Sequence, residues 1–289
     1  MTRRSTTSRR RPTAHARRPG QPLRRRVRRV LPAPGRIAAG ILTAALVTAL
    51  LVLINGPWLR VAHVAWAGDR YTAAKQLQRV LAPLDGRALL TVDASAVAAR
   101  LERLPAVAAA NVEPILPDRV RVTIEEKVAA FVWQTSAVRL VGVADGTLVG
   151  QLPVDAELSH DLAALPLVVD QRVASRTMIV GDRIDPPTLA AALVLARVQP
   201  MTLGSATTDL EVRITDDDGF LLVSKQPAWL ADFGVYSEQD ATATSTLQER
   251  VDAQVTAVRT LFSYEGEGGI SWVDARDPRR VYWLSLIHI

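Results

Sequence analysis

The sequence predicts an α+β body carried behind one membrane helix. Three observations predict it. An uncharged apolar run, residues 37–54, follows a block of arginines. The next seventy or so residues alternate between strand and helix periodicity in the order β-α-α-β-β. Residues 129–283 then run mostly as short alternating strands between turn residues, with two helical stretches among them.

Residues 1–36 hold 13 arginines and no acidic residue. The other 253 residues carry 22 basic against 29 acidic groups, a net charge of −7, so the overall +6 describes neither part. Five prolines keep the arginine block from forming one helix, and it is expected to be a disordered tail. From Ile37 to Ile54 only Thr43 and Thr48 are polar. Eighteen residues at ~1.5 Å each span roughly 27 Å, about the thickness of a bilayer core. A soluble helix would need a polar face, which this run lacks. With thirteen arginines before the run and only Arg60 just after it, the positive-inside rule puts the tail in the cytoplasm and the body outside. Ala65 and Ala67 form a signal-cleavage word, but they lie inside a predicted strand. The tail has no aromatic residue for base stacking, so it reads as a lipid-facing topology signal and no nucleic-acid partner is expected. The bilayer itself is an expected partner.

The first part of the body is placed at residues 58–128. Val61–Trp66 reads as a strand, and Gly68-Asp69 ends it. Thr72 stands where a helix cap would, ahead of Leu77, Val80, Leu81 and Leu84 on one helical face. Asp93 is placed to cap a second helix with Val97, Leu101 and Leu104 inward. Val107–Ile115 is a strand that Pro114 marks as an edge or bulge. After Pro117-Asp118, Val120, Val122 and Ile124 alternate with polar residues as in a half-buried antiparallel strand. That order makes a small sheet with two helices on one face.

The second part is placed at 129–283. Phe131–Trp133 begins a strand, and Asp145-Gly146 between apolar runs signals a hairpin. Leu165–Val169 is a further strand, and Pro186-Pro187 opens a helix with Leu189, Leu193 and Ala196 on one face. Leu210–Ile214 and Phe220–Val223 pair across Asp216–Gly219. Ser245 and Gln248 have capping-box spacing before a helix carrying Leu247, Val251, Val255, Val258 and Phe262. Ile270–Val273 and Val281–Trp283 are the closing strands, and residues 284–289 are unassigned.

In residues 58–128 the layout resembles a POTRA domain behind a membrane helix. The local words are similar to those of the bacterial cell-division family FtsQ, called DivIB in some bacteria. They are Val61, Ala62, His63 and Val64 with Gly68; Gly86 with Leu89; Val92-Asp93; Leu101, Leu104-Pro105 and Val107; and Ala110-Asn111-Val112. Pro117, then Val120 to Ile124, and the pair Glu125-Glu126 complete the set. Asp232-Phe233-Gly234 and the closing Ile270 to Asp274 resemble the family's β-rich second domain. The family often carries Pro after the acidic pair, where this chain has Lys127-Val128-Ala129-Ala130. The resemblance covers residues 37–283. It implies a single-pass protein of the bacterial plasma membrane, found at the division septum. It also implies a scaffold that binds small coiled-coil division proteins and links them to septal wall synthesis.

No cysteine is present, which removes disulfides, thiolate metal sites and cysteine nucleophiles. His15, His63, His160 and His288 form no pair with metal-ligand spacing. No serine-hydrolase, zinc-protease or phosphate-loop motif occurs. Asp216-Asp217-Asp218-Gly219 lacks the alternating acids of a calcium loop, and Glu125 and Glu126 point to opposite faces of a strand. No catalytic residue, cofactor or metal is therefore expected. The competing reading is a membrane-anchored wall enzyme or protease whose catalytic set is scattered. Partner binding is expected by strand addition at Ile270, Trp272 and Val273 and at Val281, Tyr282 and Trp283.

Overall fold

The computed structural model describes residues 34–237 and 244–285. The chain divides into two units, residues 1–50 and 51–289. The arginine-rich tail up to residue 33 lies outside the described residues.

Helix α1 runs over Pro34–Asn55, 22 residues. Its described side chains at 38–52 are all exposed, among them Ile41, Leu42, Leu46 and Leu50. Thr43 donates its hydroxyl to the Ala39 carbonyl at 2.9 Å, so its polar group is satisfied within the helix. Among the described residues no helix is long and apolar enough to cross a membrane. The side chains of residues 36, 37 and 53–55, which belong to or flank the expected span, lie outside the description.

In the second unit, β1 (His63–Ala67), β2 (Val107–Ile115) and β3 (Arg119–Glu126) form a sheet in the order β1-β3-β2. β3 is antiparallel to β2, and β1 joins it in parallel. β2 is an edge strand, which accommodates Pro114. Helices α2 (Ala74–Leu81) and α3 (Ala94–Leu101) bury Leu77, Leu81, Val97 and Leu101 against Val112, Val120, Val122 and Ile124. Asp93 caps α3, accepting from the Ala96 amide at 3.0 Å. Thr72 is not the cap of α2: Ala73 holds that position. Thr72 instead donates its amide and hydroxyl to Glu126, whose carboxylate also takes the Arg70 and Tyr71 amides. The end of β3 is thereby fastened to the turn after β1. Sequence gives no hint of this, because the partners stand more than fifty residues apart.

A nine-stranded sheet follows, in the order β12-β11-β10-β9-β8-β7-β4-β5-β6. β4 (Ala129–Gln134), β5 (Arg139–Val143) and β6 (Leu148–Leu152) are antiparallel neighbours. Asp145-Gly146 forms the expected turn between the last two: Gly146 has φ +87, and Asp145 accepts the Thr147 amide. After the short α4 (His160–Ala163), β7 (Leu167–Asp170) lies parallel to β4. Helices α5 (Pro186–Leu195) and α6 (Pro200–Leu203) connect β7 to the parallel β8 (Leu210–Thr215). A parallel pair needs such a crossover. In α5 the buried residues are Leu189, Ala191, Ala192, Val194 and Leu195, while Leu193 and Ala196 are half-buried. The helix is covered on most sides, so its inward face differs from the one that a simple i, i+4 pattern marks.

β9 (Gly219–Lys225) pairs back on β8 across the Asp216–Gly219 turn, and β10 (Ala228–Gly234) follows. Sequence reading noted a word within β10 but no strand. Its inward side chains Trp229, Ala231 and Phe233 do alternate, but Leu230 and Asp232 between them are covered as well. Helix α7 (Thr244–Glu265) then crosses to β11 (Ile270–Asp274), parallel to β10, and β12 (Tyr282–Ser285) closes the sheet. Leu247, Val251, Val255, Val258 and Phe262 of α7 are buried in the main core. α7 begins at Thr244, and Gln248 donates to Asp252 at 2.9 Å. The side chain of Ser245, the other half of the expected capping box, lies outside the described residues.

Candidate partner-docking edge

The six residues expected to bind a partner fall on the last two strands, with different surroundings. β11 is an interior strand, hydrogen-bonded to β10 on one side and to β12 on the other. Ile270 and Val273 are fully buried, and Val281 packs half-buried against the same core. The expectation that Ile270–Val273 offers an unpaired edge is therefore corrected: β12 occupies that edge. β12 ends the sheet, with Tyr282 62% and Leu284 50% exposed. Leu284 and Ser285 belong to this strand, and residues 286–289 lie outside the described residues.

Side chains that stand opposite one another in a ladder share a face of the sheet. One row runs Val212, Leu222, Ala231, Val273, Trp283. Its first four members are buried beneath the helices, so Trp283 extends the core row at its rim. The next row runs Glu211, Val223, Leu230, Trp272, Leu284 on the opposite face. Val223, Leu230 and Trp272 are half-buried, and Leu284 is exposed. An apolar stripe four strands wide thus runs across this face to β12, the outermost strand among the described residues. At its inner end Glu211 and Val223 line a hollow of about 500 Å³. Sequence reading found Trp272 in this stripe but missed Val223, Leu230 and Leu284, because the row exists only through pairing.

Beside the stripe lies a charged row, Asp232, Asp274, Tyr282. Arg276 grips Asp274 with two nitrogens, at 2.9 and 2.5 Å, and reaches Asp232 at 3.4 Å. Asp232 also accepts the Gly234 amide at 2.8 Å. Gly234 has φ +77, and a Cβ there would lie 2.9 Å from the Arg276 side chain, so both conformation and space call for glycine. Burial pushes the Asp232 carboxyl up to about 6, against the opposing pull of the Gly234 amide and Arg276. Hydrogen bonding from Arg276 holds Asp274 below the usual carboxylate range. The fully buried Gln254 of α7 donates to the Phe233 and Ala275 carbonyls and accepts from the Tyr236 hydroxyl. The segment leading from β11 to β12 is thus fixed by a side-chain amide beneath and an arginine above.

Residues 59–127 match the family model described as POTRA domain, FtsQ-type. The chain is also 28% identical over 174 residues to proteins named Cell division protein FtsQ from Chloroflexus aggregans and Chloroflexus aurantiacus. Residues 59–127 thus carry an FtsQ-type POTRA domain. The similarity covers 59% of this chain and 60% of each of these FtsQ relatives.

The other residues weighed as chemical candidates in this chain are apart from one another. His63 is exposed on β1, 4.0 Å from Asp118, and His160 opens α4. His15 and His288 lie outside the described residues. Asp216 accepts the Val173 amide at 2.8 Å, and Asp218 accepts from Thr215, as turn residues do. Among the described residues no group of three histidines or carboxylates could hold a metal ion.

Proposed function

We propose that this chain is a non-enzymatic, single-pass scaffold of the bacterial division machinery. Residues 37–54 would span the plasma membrane, with the arginine-rich tail in the cytoplasm and the body outside. It acts at the division septum by holding small coiled-coil membrane proteins and linking them to wall synthesis. The FtsQ-type POTRA match and the names of the relatives support the division role. The uncharged run from Ile37 to Ile54 and the arginine asymmetry support the topology.

The observation that carries the docking mode is the position of β12 as the outermost strand among the described residues, continuous with the stripe of Leu284, Trp272, Leu230 and Val223. A partner strand added to β12 gains main-chain hydrogen bonds, and its alternate side chains lie against that stripe. Tyr282 and Leu284 face the incoming strand on the open side, whereas Trp283 faces the core side. Truncating an aromatic anchor commonly costs at least ~2 kcal/mol of binding. In a pulldown of the tagged full chain from dividing cells, Tyr282→Ala and Leu284→Ala together should weaken partner capture about tenfold or more. The thermal midpoint should stay within a few degrees of the parent. Unchanged capture would place the docking edge elsewhere.

A further inference from the structure

The end of the small sheet at which the chain enters the body combines exposed apolar tips with arginines. Three chain segments meet there. β1 and β3 run parallel from the pair His63–Arg119, and β2 ends at Ile115 opposite Arg119, so the β2–β3 turn lies beside the start of β1. Hydrogen bonds from the Ala62 and His63 amides to the Asp118 carbonyl fasten that turn to the incoming segment. On its other side Val61 exchanges hydrogen bonds with Gly86 and Arg87, and Arg60 bridges Ala88. The Arg60 guanidinium also donates to the Gly86 carbonyl at 3.0 Å.

Each segment presents one large apolar side chain to solvent: Trp58 is 72%, Leu90 58% and Leu116 65% exposed. The neighbours Val61 and Leu89 are buried in the domain core, so Leu90 and Leu116 are surplus to that core. Arg60, Arg87 and Arg119 stand among these tips and are exposed. An open cleft of about 340 Å³ next to the turn is lined by His63, Arg119 and Arg121 with Ala65 and Ile115, and by no carboxylate. The nearby acids are Asp85, Glu113 and Asp118, the last within 4.0 Å of both His63 and Arg119. The arginine side chains are longer than these carboxylates, which lets them reach past them toward an anionic surface.

We propose that this end of the domain is a lipid-docking surface, with Trp58, Leu90 and Leu116 among the headgroups and Arg60, Arg87 and Arg119 on anionic lipid phosphates. The occupant is identified by continuity and by charge. Trp58 follows the apolar run ending at Ile54 by four residues, so the chain delivers this end to the bilayer surface. Aromatic rings and arginine stems are favoured in that interface. The inference rests on the reading of residues 37–54 as a membrane span.

The chain has no cysteine, so single cysteines can be labelled cleanly with a fluorophore in the full chain. Labels at Leu116 and the exposed Met201 are compared in reconstituted vesicles that carry a headgroup-proximal lipid quencher, and a label at Leu46 in vesicles whose quencher sits at the end of the acyl chain. With phosphatidylglycerol present, the Leu116 label should be quenched at least about twofold more than the Met201 label. That excess should disappear when Arg60, Arg87 and Arg119 are all changed to Gln, with the thermal midpoint unaltered, and shrink in vesicles of phosphatidylcholine alone. A quenched Leu46 label with Leu116 at the Met201 level overturns lipid docking and points to a protein on this surface. Equal quenching of Leu116 in both lipids overturns the arginine–phosphate contact. An unquenched Leu46 label overturns the span itself, and this inference with it.

Discussion

Asp232 is held by one amide and one edge of a guanidinium that Asp274 already occupies. Its carboxyl, raised from 3.8 to about 6, takes up a proton on folding. Its support for the fold is therefore full below the unfolded value and is lost as pH rises through about 6. Asp274 works in the other sense: its support is present above the unfolded value and is lost as pH falls through its lowered folded one. Asp232→Asn should remove the first dependence and leave the second. In urea unfolding, the stability of the variant minus that of the parent should grow between about pH 4 and pH 7, by up to ~3 kcal/mol. A difference flat with pH would contradict the assignment. Glu126 offers a second test at this scale. Its carboxylate satisfies three backbone amides and one hydroxyl in the turn 70–72. Glu126→Ala leaves those donors to water and should cost about 2–4 kcal/mol, whereas Glu125→Ala, on the exposed face, should stay within ~0.5 kcal/mol.

Among the elements, α7 is tied to the ends of β10 and β11 through Gln254. The helix lies under β10 and β11, and its amide holds the carbonyls of Phe233 and Ala275, where both strands end. Gln254→Leu would leave two buried carbonyls and the Tyr236 hydroxyl without this partner, a cost of about 2–3 kcal/mol. Hydrogen exchange in residues 275–285 should rise more than in β4 or β5, whose amides are far from the change. Uniform loosening would mean that the glutamine supports the whole core and not the edge in particular. The periodicity of α7 made its buried face readable in advance, since Leu247, Val251, Val255, Val258 and Phe262 all face the core. The buried glutamine was not readable, because a polar residue at an inward position looks the same in sequence as one at the helix border. β10 stayed hidden for a similar reason: Asp232 and Leu230 are covered by the arginine and by the neighbouring strands, so no polar face marks the alternation.

At the level of the whole molecule, patterns confined to one element could be read directly: the strand alternation of Val120, Val122 and Ile124, the Asp93 cap and the Asp145-Gly146 turn. Features made by pairing distant segments could not. The order of the nine strands, the stripe from Val223 to Leu284 and the clasp of Glu126 on residues 70–72 depend on contacts that no local pattern records. The candidate edge shows the same division. Its aromatics stand out in the sequence, yet only the sheet order separates the interior β11 from the outermost β12. Partner addition at β12 is what the proposed scaffold role rests on. The most direct test places a photo-crosslinking amino acid at Tyr282, at Leu284 or at Gln151 on the opposite edge strand β6, in cells whose division depends on this chain. Crosslinks to one small membrane protein from Tyr282 and Leu284, with none from Gln151, are the predicted result. Crosslinks from Gln151 alone, or none from β12 while division proceeds, would contradict it.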